Sequence, residues 1–240
     1  MNSEKLILAL DVESLSEAER MVDILKERVS IFKIGLQLFT KEGPKAVNMV
    51  HQKGGRVFLD LKYHDIPNTV AKAAIEATRL GVFMFSIHAL GGDEMMKRCK
   101  DSVVETSLKD NVKRPMVIAV TILTSIDQKT LNDLGMKENI KDKVRHLSEK
   151  ALRSGLDGIV ASPEEVKTIR ECCGKDFIIV TPGIRPEGKS IPDLIKDDQK
   201  RFMTPKEAIR EGANYLVIGR PVVLAEDPLK TVEGILKDIS

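Results

Sequence analysis

The stretch Val57-Phe58-Leu59-Asp60-Leu61-Lys62-Tyr63-His64-Asp65-Ile66-Pro67-Asn68-Thr69 begins as a short apolar run and ends in charge. Runs of this kind have the pattern of a buried parallel strand. Strand side chains alternate between two faces, so Asp60 and Lys62 share one face while Leu59 and Leu61 share the other. Ionised groups at the edge of a core are costly unless they are paired or hydrogen-bonded. A carboxylate and an ammonium side by side where a strand leaves the core therefore read as part of a site rather than as packing.

The same grammar repeats in both directions from this stretch. Apolar runs predict strands near 6–11, 31–35, 57–62, 84–88, 116–121, 158–161, 177–181 and 215–219. Helical patterns separate them. Ser14 with Glu17, Ser162 with Glu165 and Thr204 with Glu207 have capping-box spacing. Pro44, Pro163 and Pro205 stand where a first helical residue would, and Gly54, Gly81, Gly155 and Gly212 follow helical patterns as stops. Eight strand–helix units in 240 residues match a single-domain (β/α)8 TIM barrel spanning 1–240, a fold that typically needs about 250 residues. The rival architecture, a doubly wound open sheet, usually carries Gly-x-Gly-x-x-Gly after its first strand. Here that turn reads Asp11-Val12-Glu13-Ser14. No linker, low-complexity tract or composition break divides the chain.

Bulk composition excludes several classes of function. Net charge is only +2, aromatics make up 4% and Trp is absent, so neither a basic footprint nor a base-stacking platform for nucleic acid is present. Cys99, Cys172 and Cys173 form an odd set without Cys-x-x-Cys spacing, which argues for a reducing compartment and against a disulfide framework or a zinc site. The apolar stretch 6–10 is too short for a signal segment or a membrane span. The expectation is a soluble, cytoplasmic protein that binds neither nucleic acid nor membrane. His51 and His146 lie in helical patterns as surface residues. His64 has no nearby partners for a triad, and His88 reads as structural rather than as a metal ligand.

Barrel chemistry gathers at the C-terminal ends of the strands. Those ends supply Asp11, Lys33, Asp60 and Lys62, with Asp65 close behind: alternating charge from three neighbouring strands. Any one of them could be an ordinary rim ion pair, but so dense a network near a core is costly without a purpose. A lysine held among carboxylates stays protonated and can act as a general acid. A second group lies late in the chain. Residues 182–203 form a long connection carrying Gly183, Arg185, Gly188 and Gln199, of a length often found in lids. Gly219 and Arg220 follow the last strand, where barrel enzymes frequently bind phosphate. No phosphate-loop or dinucleotide motif is present.

Together these segments closely resemble the bacterial orotidine 5'-phosphate decarboxylase family. The resemblance runs from about Lys5 to Leu224 through Leu-Ala-Leu-Asp (8–11), Phe-Lys-Ile-Gly (32–35), Asp-Leu-Lys-Tyr-His-Asp-Ile-Pro-Asn-Thr (60–69), Val-Thr-Ile-Leu-Thr-Ser (120–125), Thr-Pro-Gly-Ile-Arg-Pro (181–186), Asp-Asp-Gln-Lys-Arg (197–201) and Val-Ile-Gly-Arg-Pro (217–221). The Asp-x-Lys-x-x-Asp core alone is shared by a wider suprafamily; its extension and the late Gln and Arg narrow the match. The resemblance implies conversion of orotidine 5'-monophosphate to UMP and CO2 in de novo pyrimidine synthesis, with no metal and no organic cofactor. It implies Lys62 as proton donor to pyrimidine C6, Asp60 against the departing carboxylate, Lys33 bridging Asp60 and the ribose, and Asp11 on a ribose hydroxyl. Thr124 would contact the pyrimidine, and Gln199, Gly219 and Arg220 would hold the phosphate with help from Arg185. Asp65 and Thr69 would reach into the partner's site, making the active unit a homodimer. The segment 187–198 is a few residues longer than the family's bacterial pattern, which extends the lid tip. Two alternatives stand beside this reading. One is a magnesium-dependent sugar-phosphate decarboxylase or synthase of the same suprafamily, and the other is a non-catalytic nucleotide-binding barrel.

Overall fold

Each predicted apolar run is a strand in the computed structural model, which describes residues 4–186 and 203–240. The strands are β1 (Leu6–Ala9), β2 (Ile31–Gly35), β3 (Arg56–Tyr63), β4 (Met84–His88), β5 (Met116–Val120), β6 (Gly158–Val160), β7 (Ile178–Thr181) and β8 (Tyr215–Ile218). They pair in parallel and in sequence order, and β8 closes on β1 through Leu6↔Leu216, Ile7↔Val217 and Leu8↔Ile218. The result is a closed (β/α)8 barrel rather than an open sheet. Closure leaves no strand edge to be protected.

Helices pack around it: α1 (Leu15–Leu25) after β1, α2 (Leu36–Glu42) and α3 (Pro44–Gln52) after β2, α4 (Pro67–Arg79) after β3, and α5 (Gly92–Lys109) after β4. Next come α6 (Gln128–Asp133) and α7 (Ile140–Arg153) after β5, α8 (Val166–Cys173) after β6, and α9 (Pro205–Glu211) before β8. The chain ends with α10 (Arg220–Val223) and α11 (Pro228–Asp238). Local chemistry sets their starts. Thr204 accepts from the Glu207 N–H while Glu207 reaches back to the Thr204 N–H, a complete capping box for α9. Pro44 and Pro205 open α3 and α9, whereas Pro163 opens only a 3₁₀ turn ahead of α8. Gly212 ends α9 at φ +111°, in the left-handed region. His146 is exposed as expected. His51 is instead half-buried at the end of α3, where the turn through Gly81 covers it, and burial lowers its pKa.

Strand alternation divides the apolar side chains into two cores. Residues pointing outward, such as Leu8, Phe32, Leu59, Phe85 and Leu216, meet the helices in the larger cluster. Those pointing inward, including Ile7, Ile31, Phe58, Met84, Ile118, Val180 and Val217, fill the barrel. Followed toward the C-terminal ends, the inward series turns from apolar to polar: Ile31 to Lys33 on β2, Phe58 to Asp60 on β3, Met84 to Ser86 on β4. The fold thus offers a sealed lower barrel and a polar mouth.

β6 and β7 pack closely at Gly158. A Cβ on Gly158 would stand 2.2 Å from the carbonyl oxygen of Ile178, which the backbone pairing holds in place. Gly158→Ala is therefore expected to cost about 1–3 kcal/mol or more, read as a lowered denaturant midpoint; an unchanged midpoint would show that the barrel can expand there.

Candidate active site

The mouth of the barrel is organised by charge delivered from consecutive strands. Asp11 lies two residues beyond β1, and its carboxylate accepts a 2.9 Å hydrogen bond from Lys33 Nζ on β2. Lys33 is 8% exposed, with Nζ 3.8 Å from Asp60 Oδ2 on β3. Lys62 Nζ donates to that same Oδ2 at 2.9 Å. The sequence Asp11–Lys33–Asp60–Lys62 is thus a continuous line of alternating charge. Gly35 makes room for it, since a Cβ there would come within 3.0 Å of Lys33 Nζ and 3.1 Å of Asp11 Oδ1.

Asp60 and Lys62 do not meet through plain strand alternation. The β3–β4 register pairs Leu59 with Phe85 and then Tyr63 with Ile87, so Asp60, Leu61 and Lys62 all stand opposite Ser86. This bulge carries Lys62 into the left-handed region at φ +52°, a conformation uncommon for a residue with a side chain. Ser86 takes up the polar groups the bulge strands. Its fully buried hydroxyl accepts from the Lys62 N–H at 2.9 Å and donates to Asp60 Oδ1 at 2.8 Å.

Asp60 shows the balance of forces. Burial alone would push its carboxyl up; the charges of Lys33 and Lys62, with hydrogen bonds from Lys62 and Ser86, outweigh burial and hold it below the ordinary carboxylate range. Near Lys62, the rings of His64 and His88 stack at 5.2 Å. Burial, then His64 and Lys62, lower His88 to about 4. The neutral His88 ring accepts the Leu90 N–H through Nδ1, capping the 3₁₀ turn after β4, which is a structural task.

Asp11, Lys33, Asp60 and Lys62 line a cavity of about 230 Å³ shared with the ends of β5, β7 and β8. Thr124 enters it from the β5–α6 loop, Arg185 from beyond β7, and Gly219 and Arg220 from the end of β8. Burial and the neighbouring charge of Arg220 both lower Arg185. Two guanidinium groups lining one cavity favour an anion there, and their planar forks suit a phosphate. A Cβ at Gly219 would press within 3.1 Å of Ala9 Cβ, so the absence of a side chain eases the close passage of the backbone by β1.

The structure therefore gathers Asp11, Lys33, Asp60, Lys62, Thr124, Arg185, Gly219 and Arg220 around one cavity. Asp65 and Thr69 are not among them: both are exposed at the start of α4, and Asp65 Oδ1 accepts the Ile66 N–H at 2.6 Å. Gln199 and the segment 187–198 lie outside the described residues. Sequence reasoning missed Ser86 and Gly35. The signal for Ser86 was a lone hydroxyl inside the apolar run 84–87, on the same face as Met84 and His88. Among the described residues, no three His, Cys, Asp or Glu side chains gather where they could hold a metal ion.

The family model described as Orotidine 5'-phosphate decarboxylase / HUMPS family matches residues 4–235. The chain belongs to this family. It is 52% identical to the orotidine 5'-phosphate decarboxylase of Geotalea uraniireducens, over 98% of this chain and 95% of the relative. It is 48% identical to that of Moorella thermoacetica, over 98% and 92%. Among solved structures, orotidine 5'-phosphate decarboxylase from Lactobacillus acidophilus superposes with a TM-score of 0.85 at 36% identity, covering 99% of each chain. An uncharacterized conserved protein from Geobacillus kaustophilus superposes with a TM-score of 0.84 at 35% identity, covering 98% of this chain and 100% of the other. In this member of the decarboxylase family, the charged line and the arginine pair open on the same cavity.

Proposed function

We propose that this chain decarboxylates orotidine 5'-monophosphate to UMP and CO2 in de novo pyrimidine synthesis, using its own side chains and no metal or organic cofactor. The observation that carries the reading is the line Asp11–Lys33–Asp60–Lys62 in a cavity that also holds Arg185 and Arg220. One end of this cavity suits a phosphate dianion, and the other places an ammonium beside a buried carboxylate.

In the proposed reaction, Gly219 and Arg220, with Arg185, bind the phosphate, Asp11 and Lys33 bind ribose hydroxyls, and Thr124 contacts the pyrimidine. The substrate carboxylate then lies against Asp60. The bond from C6 to the carboxylate carbon breaks, its electron pair stays on C6, and CO2 departs. Lys62 Nζ gives its proton to C6 to form UMP and is reprotonated from solvent. The phosphate is remote from the breaking bond, so its binding energy can be used to assemble the charged groups around the reacting carbon. Gln199 belongs to the phosphate set on the family pattern. The exposed positions of Asp65 and Thr69, with Ile66 between them 66% exposed, support a homodimer in which these residues complete the partner's site. The setting proposed for the reaction is the cytoplasm.

The direct test mixes the protein with orotidine 5'-monophosphate and follows ultraviolet loss, with and without excess EDTA. Turnover is expected in both, whereas loss in EDTA would favour the magnesium-dependent suprafamily reaction. Lys62→Ala is expected to lower kcat by at least about a hundredfold while calorimetry still detects UMP binding; normal turnover would remove Lys62 as donor. Arg220→Ala is expected to weaken UMP roughly tenfold to a hundredfold, as for loss of a charged hydrogen bond, and to leave uridine binding nearly unchanged. Equal losses for both ligands would remove the phosphate role.

A further inference from the structure

One hydroxyl ties together the two groups on which the proposed chemistry depends. Ser86 Oγ accepts from the backbone N–H of Lys62 at 2.9 Å and donates to Asp60 Oδ1 at 2.8 Å, while the other carboxylate oxygen, Oδ2, accepts from Lys62 Nζ at 2.9 Å. The four groups close a ring: Lys62 is held at its backbone through Ser86 and at its side-chain tip through Asp60. Three residues of β3 face this single residue of β4, so Lys62 N–H meets a side chain there instead of a ladder carbonyl.

Resting on the decarboxylase reading, we infer that Ser86 is a positioning residue for the reaction, fixing the Lys62 ammonium and the Asp60 carboxylate in one orientation toward the same substrate carbon. Two features make the hydroxyl hard to replace. First, Ser86 is fully buried, so bulk water cannot stand in for it as donor and acceptor. Second, Lys62 at φ +52° occupies a sparsely populated backbone region that persists only where its surroundings hold it. Removal of the hydroxyl orphans a carboxylate oxygen and a backbone N–H together, and the backbone under the proton donor is then free to relax. Serine suits the position because one short side chain supplies both a donor and an acceptor.

Lys33 on β2 and Lys62 on β3 act directly on Asp60; Asp11 after β1 pairs with Lys33, and His88 on β4, stacked on His64, lies in the field of Lys62. Arg185 and Arg220 line the same cavity from the ends of β7 and β8. Among the described residues, Ser86 is the one neutral donor among the side chains that hold the charge of Asp60. Its loss is therefore felt as easier protonation of Asp60.

The test compares the full-length protein with Ser86→Ala and Ser86→Thr. In Ser86→Ala, kcat is expected to fall about tenfold to a hundredfold, the worth of a hydrogen bond to a charged group, with a much smaller change in KM. The acid limb of the kcat profile moves to higher pH, and Ser86→Thr, which keeps the hydroxyl, restores both. Acid unfolding without nucleotide, followed by circular dichroism, is expected to begin at higher pH in Ser86→Ala than in Ser86→Thr. An unchanged kcat with an unmoved acid limb overturns the inference, as does a lower kcat with the acid limb unmoved. Absence of turnover in the unsubstituted protein condemns the decarboxylase reading alone; the acid-unfolding comparison then still decides whether the hydroxyl holds Asp60.

Discussion

A carboxylate that is 9% exposed at the mouth of an apolar barrel is the constraint around which this structure is arranged. Left alone, Asp60 would take up a proton rather than carry charge into that environment. It stays ionised because two ammonium groups converge on one of its oxygens and a hydroxyl donates to the other. Such a cluster is a poor way to gain stability, because removing one partner typically costs about 3–5 kcal/mol while an apolar replacement of the whole set can be neutral. Charge kept under these conditions is the mark of a site built for chemistry.

The requirements of Asp60 propagate outward. Lys33 must reach it from β2, and Asp11 holds Lys33 from the other side, so three consecutive strands are committed to one charged line. A side chain at Gly35 would crowd that line, coming within 3.0 Å of Lys33 Nζ and 3.1 Å of Asp11 Oδ1. Lys62 must sit on a bulge to bring both its backbone and its ammonium into play, and β4 must present a small hydroxyl opposite it. Below this layer the inward residues are apolar. Beyond it, Arg185 and Arg220 line the same cavity. In the proposed reaction, binding energy from an anion held by the arginines would position the substrate against the charged line.

Much of this was legible in the chain because it is local. Apolar runs bounded by proline, glycine and capping residues located all eight strands, and the change from apolar to charged at Asp11, Lys33 and Asp60 marked the end of the barrel where the cavity lies. What escaped depends on pairing between distant segments. Period-two alternation placed Asp60 and Lys62 on one face, yet their contact is made by a register break against β4 that no local pattern announces. Ser86 and Gly35 are small residues inside strands, where their types usually signify packing; their importance appears only once the barrel sets Ser86 against β3 and Lys33 beside Asp11. His51 looked like a surface residue because helical periodicity does not show which loop will cover a helix end.

The most direct measurement of the central claim is the ionisation of Asp60 itself. Infrared difference spectra between the protein and Asp60→Asn, recorded as pH falls while the barrel stays folded, isolate its carboxyl band. The ionised band is expected to persist below the ordinary value of 3.8. The stability this group contributes would then be present above that pH and lost only as pH falls through the lower, folded-state value. A protonated carboxyl band appearing at or above 3.8 would contradict that expectation.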